Sequence, residues 1–230
     1  MYSNLPLWVT TLILIHVLAN ITAIGIGVVT MRAKKGGKRH TQTGKIFFWS
    51  MMIICLTGSL LLFYNFNVFL AFVTVLSFYT VLTGYRAPTR RKSTFAGWID
   101  WAAAIFALLS GLSLFGSGIA IFLGMISTGV PTVLGTLCLI FGILMTLMSF
   151  DDIKQFRNPP EDKLWWYFHH ADRMLSSYMA LMVALSTQTF GRLVQPQQYL
   201  FVWLIPAVIG IIWINIYLKK LREEKQVRFV

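Results

Sequence analysis

The residues whose types could do chemistry gather in one stretch, Leu164 to Met182. There His169, His170, Asp172 and Arg173 follow the pair Trp165 and Trp166 inside an otherwise apolar run. Ionisable groups at membrane depth are rare, face a bundle interior or a wet cavity, and mark a functional site by default. On a helix, His169, Arg173 and Ser177 share one stripe, with His170 about 100° round from it. Two further histidines stand outside this stretch. His16 and Asn20 lie four apart on one face of the first apolar run, and His40 follows a Lys-Lys-Gly-Gly sequence that suits a tight turn. Imidazoles bind first-row metals, and His40, His169 and His170 together would suffice for zinc or iron. No HxH, HxxxH or HExxH spacing accompanies them.

Each residue also has a plainer reading. Trp165, Trp166 and Tyr167 form an aromatic belt, just inside which a histidine can be ordinary. His16 can bond Asn20 or a neighbouring carbonyl and tie helices together, or serve as a proton acceptor or ligand. Asp100, in Gly97-Trp98-Ile99-Asp100, is either an acid stabilised by a helix N-terminus or a carboxylate beside the same vestibule. Tyr85 and Arg86 are an interface pair or a lid contact.

The elements that must position these residues are helices in lipid. Of the 230 residues, 57% are hydrophobic and only 12% charged, about half the charge of a soluble domain. Seven apolar segments, near 6–31, 45–64, 67–85, 98–116, 131–150, 164–189 and 199–218, approach the roughly 20 residues that cross a hydrocarbon core. Alternating ten-residue segments of a barrel do not occur. The expected fold is therefore all-α, a single transmembrane domain over 1–230 forming a seven-helix bundle. Ser117–Val130, apolar but rich in Gly and Ser, either extends the fourth helix or lies as an interfacial or re-entrant piece. Pro131 suits a first helical turn, and Asn158, Pro159 and Pro160 break any continuous helix.

The net charge of +12 sits in the short connections rather than on a face suited to nucleic acid. Arg32 to Lys45, Arg86 to Lys92, Lys154 to Lys163 and the tail from Lys219 all fall on one side if there are seven crossings, and the other side has only Arg192. By the positive-inside rule the N-terminus faces out and the C-terminal tail lies in the cytoplasm. The lysines would then also meet anionic lipids. No basic region or small-residue cleavage site accompanies the first apolar run, so no removed signal peptide is expected. Cys55 and Cys138 read as inert core thiols. No phosphate loop, GxSxG, retinal-binding lysine in the seventh helix or paired intramembrane carboxylates occur.

Depth links the candidates. At about 1.5 Å per residue from Arg32 and Lys163, His169 and His170 lie roughly 9–10 Å deep, Arg173 about 15 Å, Asn20 about 18 Å and His16 about 24 Å. Two axial ligands of one haem need similar depth, which disfavours His16 with His169 or His170. Asn20, Arg173, Ser177 and His16 would instead form a polar track opening towards the cytoplasm between the first and sixth helices.

The runs LIHVLANITAIGIGVVTMRAKKGGKRHTQTGK, SFYTVLTGYR and HHADRMLSSYMALM resemble an uncharacterised family of bacterial multi-pass membrane proteins. The resemblance singles out His16, His40, Gly84, Tyr85, Arg86, His170, Met174 and Tyr178, and it implies a location for the site without an activity. Three functions are expected. In the first, His40, His169 and His170 line a metal- or cofactor-linked site, with zinc, iron or haem as the group and redox chemistry as one use, Arg173 balancing anionic charge and His16 relaying protons. The second is a proton-linked transporter or binder of a small molecule, and the third a structural partner subunit of a membrane complex.

Overall fold

The computed structural model describes residues 5–91, 95–195 and 198–226. Lys92 and Arg228 lie outside the described residues, as do the side chains of Arg192 and Lys225. The described residues form seven long helices: α1 (Leu7–Arg32), α2 (Lys38–Tyr64), α3 (Val68–Arg86), α4 (Trp98–Phe122), α5 (Pro131–Arg157), α6 (Trp165–Phe190) and α7 (Tyr199–Gln226). A 3-10 turn, Ala87–Arg91, continues α3. Among the described residues six helices are long and apolar enough to cross a membrane, whereas α6 has the length but carries too many charged and polar groups in its first turns.

Many large apolar side chains face outward while a set of polar groups is buried with the apolar core. Leu14, Leu18 and Ile21 of α1, Phe106 and Leu109 of α4, and Phe201, Ile209 and Ile212 of α7 point outward. Thr57, Thr80, Thr83, Ser149, Asp152, Arg173 and Ser177 are buried. Lipid accepts the first set and the bundle interior the second. The chain is thus a multi-pass helical membrane protein.

Several helix ends depart from the apolar boundaries of the sequence. Gly36 adopts a left-handed φ of +75°, and the chain reverses so tightly that α2 starts at Lys38, about two turns before the predicted 45. His40 therefore stands in the first turn of a helix and not in a loop. Ser117–Phe122 extends α4, and 123–130 is a turn region closed by Gly124 at φ +72° and by Met125 N donating to Ala120 O (2.9 Å). Neither α5 nor α7 stops where the apolar run stops, because helical hydrogen bonding continues through polar turns beyond it.

α1, α2, α3 and α6 form a ring, each touching the next; α4 pairs closely with α5, both pack against α3, and α7 lies against α6 and α5. The α4/α5 approach rests on glycines seven residues apart, Gly111 and Gly118 on one helix, Gly135 and Gly142 on the other. A Cβ at Gly142 would stand 2.6 Å from Phe115 N, and one at Gly111 would stand 2.8 Å from Thr146 N. Where lipid removes the hydrophobic drive between helices, this backbone proximity supplies the packing. Gly142→Val should force the pair apart and cost about 1–3 kcal/mol, read as a lowered unfolding temperature in detergent, with Gly116→Val, which meets open space, as the neutral control.

Candidate functional site

The end of the bundle that carries the basic connections holds two polar centres. Both are supplied by α6, whose two adjacent stripes face different ways. One stripe, His169, Arg173 and Ser177, is buried. Arg173 Nη2 donates to Asp152 Oδ1 on α5 (2.8 Å) and to the Met148 carbonyl (3.1 Å). The Tyr79 hydroxyl of α3 donates to Asp152 Oδ2, and His169 Nε2 stands 3.5 Å from Oδ1, too far for a good hydrogen bond. Asp152 is wholly buried and Arg173 is 3% exposed, so the pair fixes α6 against α5 and α3 in one rotation.

Arg90 reaches this centre from the 3-10 turn. Its guanidinium lies 5.0 Å from the ring centres of both Phe156 and Trp165, a cation between two aromatic faces. Beside it, Arg86 makes a two-pronged pair with Asp100, Nε to Oδ1 at 2.8 Å and Nη2 to Oδ2 at 2.9 Å. Asp100 Oδ2 also accepts from Gly97 N (2.9 Å), capping α4. Asp100 therefore acts as a helix cap and as the anchor of the α3–α4 connection.

The second stripe, His170, Met174 and Tyr178, lines a cavity of about 660 Å³ among α1, α2, α6, α7 and the 3-10 turn. Across the cavity stands His40, its ring centre 6.2 Å from that of His170 and the two planes at 79°. His170 Nδ1 bonds the Gly84 carbonyl (2.7 Å), and His40 Nδ1 bonds the Thr30 carbonyl (3.1 Å). A carbonyl only accepts, so Nδ1 carries the proton in both neutral rings. Nε2 keeps its lone pair, the tautomer of a ligand or a base. Gly84 allows this geometry, because a Cβ there would stand 3.0 Å from Arg173 Cβ and Met174 Sδ. Lys35, Lys45 and Arg91 also line the cavity, and no carboxylate among the described residues does. Lys35 donates to the Met31 carbonyl, and burial pulls its ammonium below the usual lysine pKa.

The predicted residues are thus divided. His40 and His170 meet, but His169 turns to Asp152, so the three-imidazole cluster does not form. Among the described residues no group of three His, Cys, Asp or Glu is placed to hold a metal ion. The polar track does not assemble either. His16 Nδ1 bonds Thr57 Oγ1 of α2 (2.8 Å), Asn20 donates to the His16 carbonyl within its own helix, and Ser177 donates to the Met174 carbonyl. Reasoning from sequence missed Asp152, Tyr79 and Arg90. A signal for Asp152 was present, since Cys138, Gly142, Met145, Ser149, Asp152 and Phe156 continue one stripe at spacings of three and four along α5.

No family model matches the chain, and no curated protein or solved structure is detectably similar to it. Asp152→Leu should destabilise the protein by about 3–5 kcal/mol by stranding the Arg173 charge, and adding Arg173→Met should restore most of that. Thermal unfolding of the two single variants and the double variant in detergent measures the coupling.

Proposed function

We propose that this chain spans a bacterial cytoplasmic membrane seven times, N-terminus out, and uses the cavity at its basic, cytoplasmic end to bind a flat, largely apolar anion as ligand or cofactor. The observation that carries this reading is the convergence of two imidazoles with free Nε2 atoms and three cations in one cavity that no described carboxylate lines. Its volume falls within the roughly 300–1,000 Å³ of small-molecule sites. Phe47, Tyr85, Trp166, Met174 and Tyr178 supply apolar wall, and the cations suit acidic substituents. Membership of the uncharacterised bacterial family belongs to the same proposal. It is supported by the positions of His40, Tyr85, His170, Met174 and Tyr178, which all line the cavity. Transport through Arg173 draws no support from the geometry, because that guanidinium is committed to Asp152.

Equilibrium dialysis of the detergent-solubilised protein with anthraquinone-2-sulfonate, against its uncharged hydroxymethyl analogue and empty micelles, tests the reading. Saturable binding of the sulfonate at one site per chain is expected. Lys35→Met with Arg91→Met should weaken it about tenfold, or about 1.4 kcal/mol. Gly44→Phe should abolish it by filling the cavity, since Gly44 lines that space and a Cβ there meets only Thr30 Cγ2 at 3.8 Å. Affinity should fall as pH rises, beginning below the range of an ordinary lysine, because Lys35 loses its charge early. Equal binding of the uncharged analogue would remove the proposal.

A further inference from the structure

We infer that the cavity takes a non-covalently held haem whose iron lies between Nε2 of His40 and Nε2 of His170, a proposal that rests on reading the cavity as a site for a flat anion. Ligand count points there first. A zinc site made by protein alone takes three or four side chains, and the described residues offer no such group. Haem iron brings four nitrogens of its own and asks the protein only for axial ligands, of which this cavity holds two.

Spacing agrees. A first-row metal holds an imidazole nitrogen at about 2.0–2.1 Å, and that nitrogen stands roughly another 1.1 Å from its ring centre, so imidazoles on opposite sides of one iron have centres about 6.2–6.4 Å apart. The His40 and His170 centres are 6.2 Å apart, the separation for two ligands in line through a metal.

Tautomer agrees as well. Each Nδ1 is tied to a main-chain carbonyl on a different helix, Thr30 O of α1 and Gly84 O of α3. α1 and α3 lie diagonally across the ring of four helices, so the two rings are tied from opposite sides and each keeps Nε2 for a ligand bond. An N–H bonded to a carbonyl is the usual outer support of a metal-bound histidine. Lys35, Lys45 and Arg91, which line the same cavity, would suit the two propionates of a haem. The sequence holds no CxxCH, the motif of c-type covalent attachment.

Titrating full-length protein in detergent with hemin tests the inference. The expected result is saturation at one equivalent with the Soret and visible bands of a low-spin, bis-imidazole iron. Because the ring planes stand at 79°, the ferric form should give the strongly anisotropic, large-gmax electron paramagnetic resonance signal of perpendicular axial imidazoles. His40→Gly and His170→Gly should each lose that signal and weaken hemin binding at least tenfold, added imidazole should restore the signal, and His16→Ala should leave it unchanged. Binding of anthraquinone-2-sulfonate with no low-spin species, or a low-spin species that persists in both glycine variants, would overturn the haem assignment while leaving the cavity reading intact. Failure of both probes would end both.

Discussion

A buried guanidinium holding a buried carboxylate decides how the basic end of this bundle is built. Arg173 and Asp152 join α6 to α5, with Tyr79 of α3 completing the carboxylate's second oxygen. Charges cannot be left unpaired at such depth without a cost of several kcal/mol, so the rotation of α6 about its axis is set by this contact. Once it is set, the stripe 100° away, with His170, Met174 and Tyr178, must face the cavity. One ion pair thereby positions a histidine that it never touches.

Around that constraint the helices use small residues to bring main chain close to side chain. Gly84 lets α6 lie against α3 so that its carbonyl meets His170, and Gly27 does the same for Tyr178 against α1, where a Cβ would stand 2.5 Å from the ring. The reversal at Gly36 starts α2 early and lifts His40 onto a helix, where the Thr30 carbonyl can orient it. The cavity is what these close approaches leave between α1, α2 and α6. Positive charge collects there because the connections that cluster at this end carry it.

The class of the protein was legible because lipid imposes a simple rule, long apolar helices with satisfied backbones, and composition alone reveals it. The importance of the first turns of α6 was legible for the same reason, since polar groups there violate the apolar pattern. What could not be read was the division of labour among them. His169 and His170 are neighbours in sequence, yet on a helix they diverge, and only the packing partners decide that one meets Asp152 and the other meets His40. His40 was expected in a loop, and a glycine turn places it on a helix instead. Depth counting placed Arg173, Asn20 and Ser177 in one track when their helices present them to different neighbours.

By itself, the sequence determined a helical membrane chain whose ionisable groups concentrate near its basic connections, because hydropathy and charge are local properties summed along the chain. Tertiary structure alone decided that His40 faces His170 across a cavity and that Arg173 is consumed by Asp152. These contacts join residues 130 and 21 positions apart in the chain, and their existence depends on helix rotation, which no local pattern encodes.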